Sequence, residues 1–199
     1  MPKIDVFFST ISPYSYIALP RLEALTRERG LDLTWKPLDI MALFARTGGT
    51  PVGQRHPSRQ AYRLADIARQ ARLAGLPVNP QPKHFPTNPA PSSYAIIAAQ
   101  AAGGGDMFAL VRAILAACWA EEKDIADEAV IRAALEGAGF DPALADSGLL
   151  SGAETYARNL EEAVAAGVFG APSFVTEDGA VFWGQDRLDD LALHLDDLK

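Results

Sequence analysis

The four residues Ser-Pro-Tyr-Ser at positions 12–15 combine residue types with a location that could carry chemistry. An apolar run at 4–8 precedes them and predicts a β-strand, while Tyr and Leu recurring every three residues over 16–25 predict one face of a helix. Ser12 would then be the N-cap of that helix and Pro13 its first residue, where a missing N–H costs nothing. A hydroxyl at the positive end of a helix dipole favours an anion such as a thiolate. The simpler interpretation is an ordinary Ser-Pro helix start.

The elements that must position this segment follow in a simple order. An alternating stretch at 31–38 predicts a second strand and completes a βαβ unit, whose two strands should be parallel. Strand patterns then disappear between 39 and 167. Two further strands are predicted at 172–176 and 180–183, with an Asp-Gly hairpin signal at 178–179, and a C-terminal helix follows.

Helices fill the middle of the chain. They are predicted at 39–46, 58–73, 92–102, 106–120 and 127–136, just after the Asp-Pro pair at 141–142, and at 152–166. A proline-rich segment at 77–91 predicts an irregular connection. Apolar residues lie on one side of the second of the middle helices, at Ala61, Leu64, Ala65 and Ala68, and the C-terminal helix contains Leu188, Leu191 and Leu193.

Without the helical block, the order βαβ–ββα is that of a thioredoxin-like fold. We therefore predict an α/β protein with a thioredoxin-like domain formed by residues 1–38 and 168–199 and an all-helical insertion at 39–167. In such folds the redox site is a Cys-x-x-Cys motif at the start of the first helix, which corresponds here to 12–15. Both thiols are replaced by hydroxyls. Ser12 therefore cannot exchange disulfides, but it can donate a hydrogen bond to the sulfur of another molecule.

Two further segments belong to the same predicted site. Pro172 begins a strand, and in a thioredoxin-like fold this proline is cis and faces the first helix, so that Ala171 offers its backbone to an extended peptide. An ordinary loop proline is the alternative. Asp186, at the last strand-to-helix turn, is either a helix cap or an acceptor for a ligand ammonium, and both roles are compatible.

Other residue patterns argue against a metal site and against a serine hydrolase. The histidines at positions 56, 84 and 194 share no metal-ligand spacing with acidic partners, so no metal site is predicted. The Gly-x-Ser-x-Gly motif of serine hydrolases is missing. Cys118, between alanine and tryptophan in an apolar helix, is interpreted as a core thiol.

Composition limits the class of protein. The 199 residues are 49% hydrophobic and 22% charged, which is typical of a globular domain. The net charge of −7, with no basic run, argues against nucleic acid and anionic membranes as partners. No apolar run has the length of about 20 residues that a membrane helix needs, and no secretory signal is evident. The single cysteine excludes an internal disulfide, and we expect a cytoplasmic protein.

The three segments together resemble the 2-hydroxychromene-2-carboxylate isomerases, which belong with the kappa-class glutathione transferases. The resemblance rests on the residues at 7–16, on Gly-Ala-Pro at 170–172 and on Trp-Gly-Gln-Asp-Arg-Leu at 183–188, and it covers nearly the whole chain. It implies a thioredoxin-like fold with a helical insertion, a homodimer and glutathione as cofactor. It also implies reversible conversion of 2-hydroxychromene-2-carboxylate, a small aromatic carboxylate, into trans-o-hydroxybenzylidenepyruvate during bacterial degradation of aromatic compounds.

The resemblance also implies roles for individual residues. Ser12 would be catalytic and would stabilise the glutathione thiolate. The residues implied to bind glutathione are Ser12, Gln54, Arg55, Ala171, Pro172, Trp183, Gly184, Gln185 and Asp186. Phe44 replaces the lysine of the family, and Arg55 is our candidate to take over its carboxylate contact.

Three alternatives remain open at this stage. A kappa-like glutathione transferase or peroxidase acting on other electrophiles would share every glutathione contact. A non-catalytic thioredoxin-like module would grip extended peptides beside Pro172 and would have no affinity for glutathione. A disulfide oxidoreductase is disfavoured, because the chain lacks a Cys-x-x-Cys motif.

Overall fold

The computed structural model describes residues 1–197, and every predicted strand and helix is present with its ends shifted by a few residues. The strands are β1 (Lys3–Phe8), β2 (Asp32–Pro37), β3 (Ser173–Thr176) and β4 (Val181–Trp183). The helices are α1 (Pro13–Arg29), α2 (Ile40–Thr47), α3 (Pro57–Leu73), α4 (Ala90–Ala102), α5 (Met107–Trp119), α6 (Glu128–Gly137), α7 (Leu144–Ser147), α8 (Leu149–Ala165) and α9 (Leu188–Asp197). Two 3₁₀ turns, Val52–Gln54 and Gln185–Arg187, precede α3 and α9. Across the described residues, no helix has both the length and the apolarity needed to span a bilayer.

One mixed sheet holds the four strands in the order β2-β1-β3-β4. β1 runs parallel to β2, and β3 runs antiparallel to both β1 and β4. The register places Val6 between Trp35 and Phe174, so the centre of the sheet is apolar. This topology confirms the predicted thioredoxin-like fold, with helices α2 to α8 inserted between β2 and β3. The division of the chain into two domains stays a prediction.

The largest core cluster joins the sheet and α1 to helices α4, α5 and α6 of the insertion. Trp35 of β2 is central to this contact, because its ring meets Phe8 and Phe108 edge-on at 5.7 and 5.1 Å. The Gln100 side chain of α4 accepts the Trp35 N–H at 2.7 Å and donates to its carbonyl at 3.2 Å, which satisfies the free edge of β2. The insertion is thereby fixed to the strand that follows the first helix.

Cys118 lies in this core and is 1% exposed. Burial, followed by the nearby carboxylates of Asp124 and Glu122, raises the pKa of its thiol to about 12. The thiol is therefore protonated and shielded at neutral pH, which confirms the interpretation of Cys118 as a core residue.

The apolar positions noted in two helices are only partly buried. In α3 the buried residues are Ile67 and Ala71, whereas Ala61, Ala65 and Ala68 are exposed. Ile67 and Ala71 form a small cluster with Ile17 of α1, and Tyr14 packs against it. In α9 the buried leucines are Leu188, Leu191 and Leu195, and Leu193 is 65% exposed. Leu188, Leu191 and Leu195 have the i, i+3, i+7 spacing of one helix face, and Leu193 is out of phase with them.

Gly152 lies where α8 closely approaches α4. A Cβ at this position would lie 2.7 Å from the Tyr94 Cβ and 2.9 Å from its Cα in α4. We expect Gly152→Ala to lower the free energy of unfolding by about 1–3 kcal/mol, because the helices would have to separate. Thermal unfolding should show a fall of about 2–4 °C for each kcal/mol.

Gly137→Ala is the matched control for this prediction. Gly137 ends α6, and a Cβ there would meet no heavy atom within 4 Å. The melting temperature of this variant should stay the same or rise, because alanine restricts the unfolded chain. Equal melting temperatures for the two variants would contradict the close packing of α8 on α4.

Candidate active site

Ser12 occupies the N-cap of α1, as the sequence predicts. Its Oγ accepts the Ser15 N–H at 3.2 Å, and its hydroxyl donates to the Ala171 carbonyl at 3.3 Å. The Ala171–Pro172 peptide bond is cis, which confirms that prediction. The start of α1 and the residue before the cis-proline are therefore in direct contact, although they lie at opposite ends of the chain.

The second hydroxyl of the Ser-Pro-Tyr-Ser segment, that of Ser15, is buried in a different environment. Ser15 is 3% exposed, and its Oγ has no hydrogen-bond partner in the part of the chain that the structure describes. It faces a small apolar space that Pro172 and Phe174 also line. Ser12 is also buried, at 9% exposure, and its hydroxyl donates to the carbonyl of Ala171, which lines the neighbouring cleft. Of the two positions equivalent to a redox cysteine pair, Ser12 is therefore the one hydrogen-bonded to a cleft residue.

A cleft of about 810 Å³ opens beside this contact, which is a volume typical of small-molecule sites. Its walls come from the start of α1, the loop before α3, α3 itself and the turn between β4 and α9. Six of the predicted site residues line it: Arg55, Ala171, Trp183, Gly184, Gln185 and Asp186. Ser12 lies directly behind Ala171, and Pro172 follows Ala171 in the chain.

Ser12, Pro172 and Gln54 are the predicted site residues that do not line the cleft, and Gln54 is directed to solvent. It ends a 3₁₀ turn with its side chain exposed to solvent. The Gln60 side chain donates to the carbonyls of Gly53 and Arg55, at 3.4 and 2.7 Å, and holds the loop in this orientation. The neighbouring Arg55 is the residue of this loop that reaches the cleft.

A polar network that the sequence analysis missed joins three walls of the cleft. The Tyr14 hydroxyl donates to the Asp66 carboxylate at 2.9 Å. The Gln70 amide donates to the other oxygen of Asp66 at 3.4 Å and accepts a hydrogen bond from Gln185 at 3.2 Å. Burial and the Asp66 carboxylate raise the pKa of Tyr14, so its phenol stays protonated. The one signal in the sequence was the polar stripe of α3, which passes through positions 59, 63, 66 and 70.

The turn after β4 holds Asp186 at the cleft. Gly184 has φ +118°, and a Cβ there would lie 2.4 Å from the Asp186 Oδ1, so this position requires glycine. Its N–H donates to the Pro172 carbonyl at 2.9 Å, which fixes the turn beside the cis-proline. The structure gives Asp186 no capping bond within residues 1–197, and its Oδ2 accepts from Arg187 at 3.1 Å. Asp186 is thus available to a ligand, and the cap interpretation is wrong.

An aromatic pair forms the rim near the cis-proline. The rings of Trp183 and Phe169 meet edge-on at 4.8 Å, and the two side chains are about half exposed. The indole lies so close to Gly170 that a Cβ there would be 2.3 Å from its Nε1. Exposed aromatic side chains therefore lie next to the Gly170–Ala171 segment.

Arginine side chains line the wall of the cleft that α3 and the preceding loop form. Arg55 lies over the Phe44 ring at 5.8 Å and donates from its Nε to the Thr50 carbonyl at 2.8 Å. Arg59 and Arg63 of α3 also line the cleft. The wall is basic although the whole chain carries a net charge of −7. A bound anion would be stabilised here.

The cleft can hold a small ligand that carries both an ammonium group and carboxylates. Asp186 can accept from the ammonium, the guanidinium groups can bind carboxylates, and Ser12 can donate to a thiolate. The Ala171 N–H makes no hydrogen bond within residues 1–197 and can pair with a peptide carbonyl. Among the described residues, His, Cys, Asp and Glu form no group of three that could hold a metal ion.

Comparisons with known proteins extend this description. The family model described as the DSBA-like thioredoxin domain matches residues 3–196. A 2-hydroxychromene-2-carboxylate isomerase from Sphingobium xenophagum is 32% identical over 195 residues, which cover 96% of this chain and 97% of that protein. A solved structure of 2-hydroxychromene-2-carboxylate isomerase has a TM-score of 0.81 and 25% identity, and the match covers 98% of this chain and 95% of that one. The glutathione S-transferase kappa 1 of Caenorhabditis elegans is 32% identical over 83 residues, 41% of this chain and 36% of that protein.

Proposed function

The chain belongs to the 2-hydroxychromene-2-carboxylate isomerases, within the DSBA-like thioredoxin domain family, and from this premise we propose that its isomerase reaction depends on bound glutathione. The substrates we propose are 2-hydroxychromene-2-carboxylate and trans-o-hydroxybenzylidenepyruvate. The observation that carries the proposal is the Ser12 hydroxyl at the N-terminus of α1, in contact with the backbone of Ala171 at the cleft. A hydroxyl at this position can donate a hydrogen bond to the sulfur of a bound thiol, and the segment at 12–15 has no cysteine of its own.

The residues around the cleft fit glutathione as a tripeptide. Asp186 and Gln185 would hold the γ-glutamyl end, where an ammonium needs a carboxylate. The N–H of Ala171 would pair with the cysteinyl backbone, which places the sulfur beside Ser12. Arg55 would bind the glycine carboxylate. Its stacking on Phe44 supports this role, because the aromatic ring at the position of the family lysine orients the guanidinium instead of competing with it.

The protein residues contribute binding, orientation and charge stabilisation. When bound, glutathione would supply a nucleophilic thiolate for reversible covalent catalysis, by which the ring C–O bond of the substrate opens and the double bond that must rotate becomes temporarily single. Ser12 stabilises the thiolate with its hydroxyl and does not itself attack, because within residues 1–197 no base is hydrogen-bonded to it. The α1 N-terminus adds its positive dipole to the same place. The half-exposed Trp183 and Phe169 offer a planar surface to the aromatic ring.

The decisive experiment is to measure isomerisation of 2-hydroxychromene-2-carboxylate by the purified protein with and without glutathione. We expect turnover only in its presence, and inhibition by S-methylglutathione, which keeps both ends of the tripeptide but lacks a free thiol. Turnover without any thiol would overturn the proposal. A protein that binds no glutathione in a thermal-shift titration would favour the peptide-binding alternative instead.

A kappa-like transferase acting on other electrophiles is the second candidate, and the similarity to the kappa 1 transferase favours it. It would use the same glutathione contacts. Comparing chromene carboxylate with a generic aryl halide as substrate separates the two activities. The isomerase proposal requires kcat/KM to be much larger for the carboxylate.

Two further proposals concern the setting of the reaction. We propose that the protein is cytoplasmic, because a reducing compartment keeps glutathione in its thiol form. We also propose a homodimer, on the basis of the family resemblance. Analytical ultracentrifugation of the purified protein tests the second proposal, and a monomer at all concentrations would contradict it.

A further inference from the structure

Arg63 differs from the other arginines within residues 1–197 because it is partly buried and has neither an ion pair nor a hydrogen bond. Arg59 and Arg72 also lack an ion pair, but both are exposed, and Arg55 donates to the Thr50 carbonyl. The other nine form an ion pair with a carboxylate: Arg21, Arg27, Arg29, Arg46, Arg69, Arg112, Arg132, Arg158 and Arg187. Arg63 is partly buried in the wall of the cleft, and within residues 1–197 neither a carboxylate nor a hydrogen-bond acceptor pairs with its guanidinium. Removing a cation from water without a partner costs free energy, so a position of this kind indicates a ligand.

The acidic residue nearest along the helix is not available to Arg63. Asp66 lies three positions further along α3, where an ion pair would be expected. Its carboxylate instead accepts from Tyr14, Arg69 and Gln70. The fold thus directs the only carboxylate of this stretch toward the network that joins the walls, and leaves the Arg63 guanidinium facing the cleft.

Arg63 interacts electrostatically with two other residues of the cleft. Burial lowers the pKa of Arg63, Tyr14 acts in the opposite direction, and the like charge of Arg55 lowers it further. Arg63 therefore lies within electrostatic reach of both residues. Tyr14 is two residues beyond Ser12, and Tyr14, Arg55 and Arg63 all line the same cleft.

We propose that Arg63 binds the carboxylate of the substrate. The inference rests on the proposed function, in which Arg55 and the Gln185–Asp186 end already account for the two termini of glutathione. A guanidinium offers two parallel N–H donors to a planar carboxylate and orients it as well as holding it. The enzyme would therefore require an ionised carboxylate attached to the electrophilic system. It would discriminate against the corresponding amide or ester, which offers no full negative charge.

The test compares Arg63→Gln with Arg72→Gln, a control at an exposed position of the same helix that does not line the cleft. For Arg63→Gln we expect kcat/KM for the chromene carboxylate to fall about 10- to 100-fold, mainly through KM, and the Kd of glutathione to change less than about twofold. Arg63→Lys should fall between the wild type and Arg63→Gln, because it keeps the charge but loses the paired donors. Arg72→Gln should match the wild type.

A binding measurement keeps this inference separate from the proposed function. Calorimetry with an unreactive aromatic carboxylate, such as coumarin-3-carboxylate, should show weaker binding to Arg63→Gln than to the wild type, and equal binding of the matching amide to both. This comparison judges Arg63 even if the wild type shows no glutathione-dependent isomerisation, a result that would overturn only the proposed function. A loss of glutathione affinity equal to the loss of carboxylate affinity would assign Arg63 to the cofactor and overturn the inference, as would unchanged carboxylate binding.

The stability of the unliganded variant gives an independent readout. If Arg63 serves a ligand, Arg63→Gln should melt at the same or a higher temperature, because an unpaired and partly buried charge has been removed. A clear fall in the melting temperature would show that the guanidinium has a structural partner and would contradict the inference.

Discussion

Replacing Ser12 with alanine is expected to raise the pKa of the bound glutathione thiol by about one to two units. A hydrogen bond to a charged group contributes about 1.5–3 kcal/mol, and one pKa unit corresponds to about 1.4 kcal/mol. A free thiol has a pKa of about 8.5, and the helix dipole with the Ser12 hydroxyl would lower it by about one to three units. Removing the hydroxyl leaves only the contribution of the dipole.

The effect on turnover should be smaller than the effect on the thiolate population. A thiol of higher pKa is also a better nucleophile, and this recovers about half of the loss on a logarithmic scale. We therefore expect kcat/KM at pH 7 to fall about 3- to 15-fold. The deficit should disappear as the pH rises above the thiol pKa of the variant, because both enzymes then hold the thiolate. A pH–rate profile, together with the ultraviolet absorbance of the bound thiolate, measures both quantities.

The loss of a helix cap has to be separated from the loss of the site. Ser12 also accepts the Ser15 N–H, and removing a cap costs about 1 kcal/mol of stability. Asp106→Ala removes a comparable cap at the start of α5, and the structure does not place Asp106 in the cleft lining. It should lower the melting temperature without changing the thiol pKa. Ser12→Thr keeps a hydroxyl and should retain most of the activity. A Ser12→Ala enzyme with full turnover and unchanged thiolate absorbance would disprove the role of Ser12.

Replacing Asp186 with asparagine is expected to weaken glutathione binding about 5- to 10-fold. The Asp186 side chain is 59% exposed, so its ion pair with a ligand ammonium is partly screened. Exposed pairs contribute about 0.2–1 kcal/mol, and charge-assisted hydrogen bonds contribute about 1.5–3 kcal/mol. The free-energy contribution of a carboxylate in a cleft should lie between these ranges, and about 1.4 kcal/mol corresponds to a tenfold change in Kd. The KM for glutathione should rise, while kcat at saturating glutathione should change little.

Asp190→Asn is the matched control for Asp186→Asn. Asp190 pairs with the same Arg187, at 3.0 Å, but it does not line the cleft. Both variants thus remove one carboxylate from Arg187, and only Asp186→Asn removes one from the site. The difference in glutathione Kd should also shrink at high ionic strength, because salt screens an exposed pair. Equal effects of the two variants would show that Asp186 acts only through Arg187.

The order of the secondary-structure elements could be predicted because its signals are local. Alternating apolar residues, the Asp-Gly turn at 178–179 and the Ser12 N-cap each depend on a few neighbouring residues. The predicted strands and helices are therefore confirmed. The buried face of α3 could not be predicted in this way, because the packing partner of a helix is not a local property.

The sequence by itself determined that a hydroxyl stands where a thioredoxin-like fold carries its reactive sulfur, because the strand, the cap and the helix start are encoded within residues 4–16. Only the tertiary structure decided what surrounds that hydroxyl. The polar stripe of α3 has the periodicity of a solvated helix face, and it becomes a cleft wall because α1 and the Gln185–Arg187 turn lie opposite it. Arg63 in particular looks like any surface cation in the sequence. Its isolation depends on Asp66 being engaged by Tyr14, a contact across 52 positions of the chain that no local pattern contains.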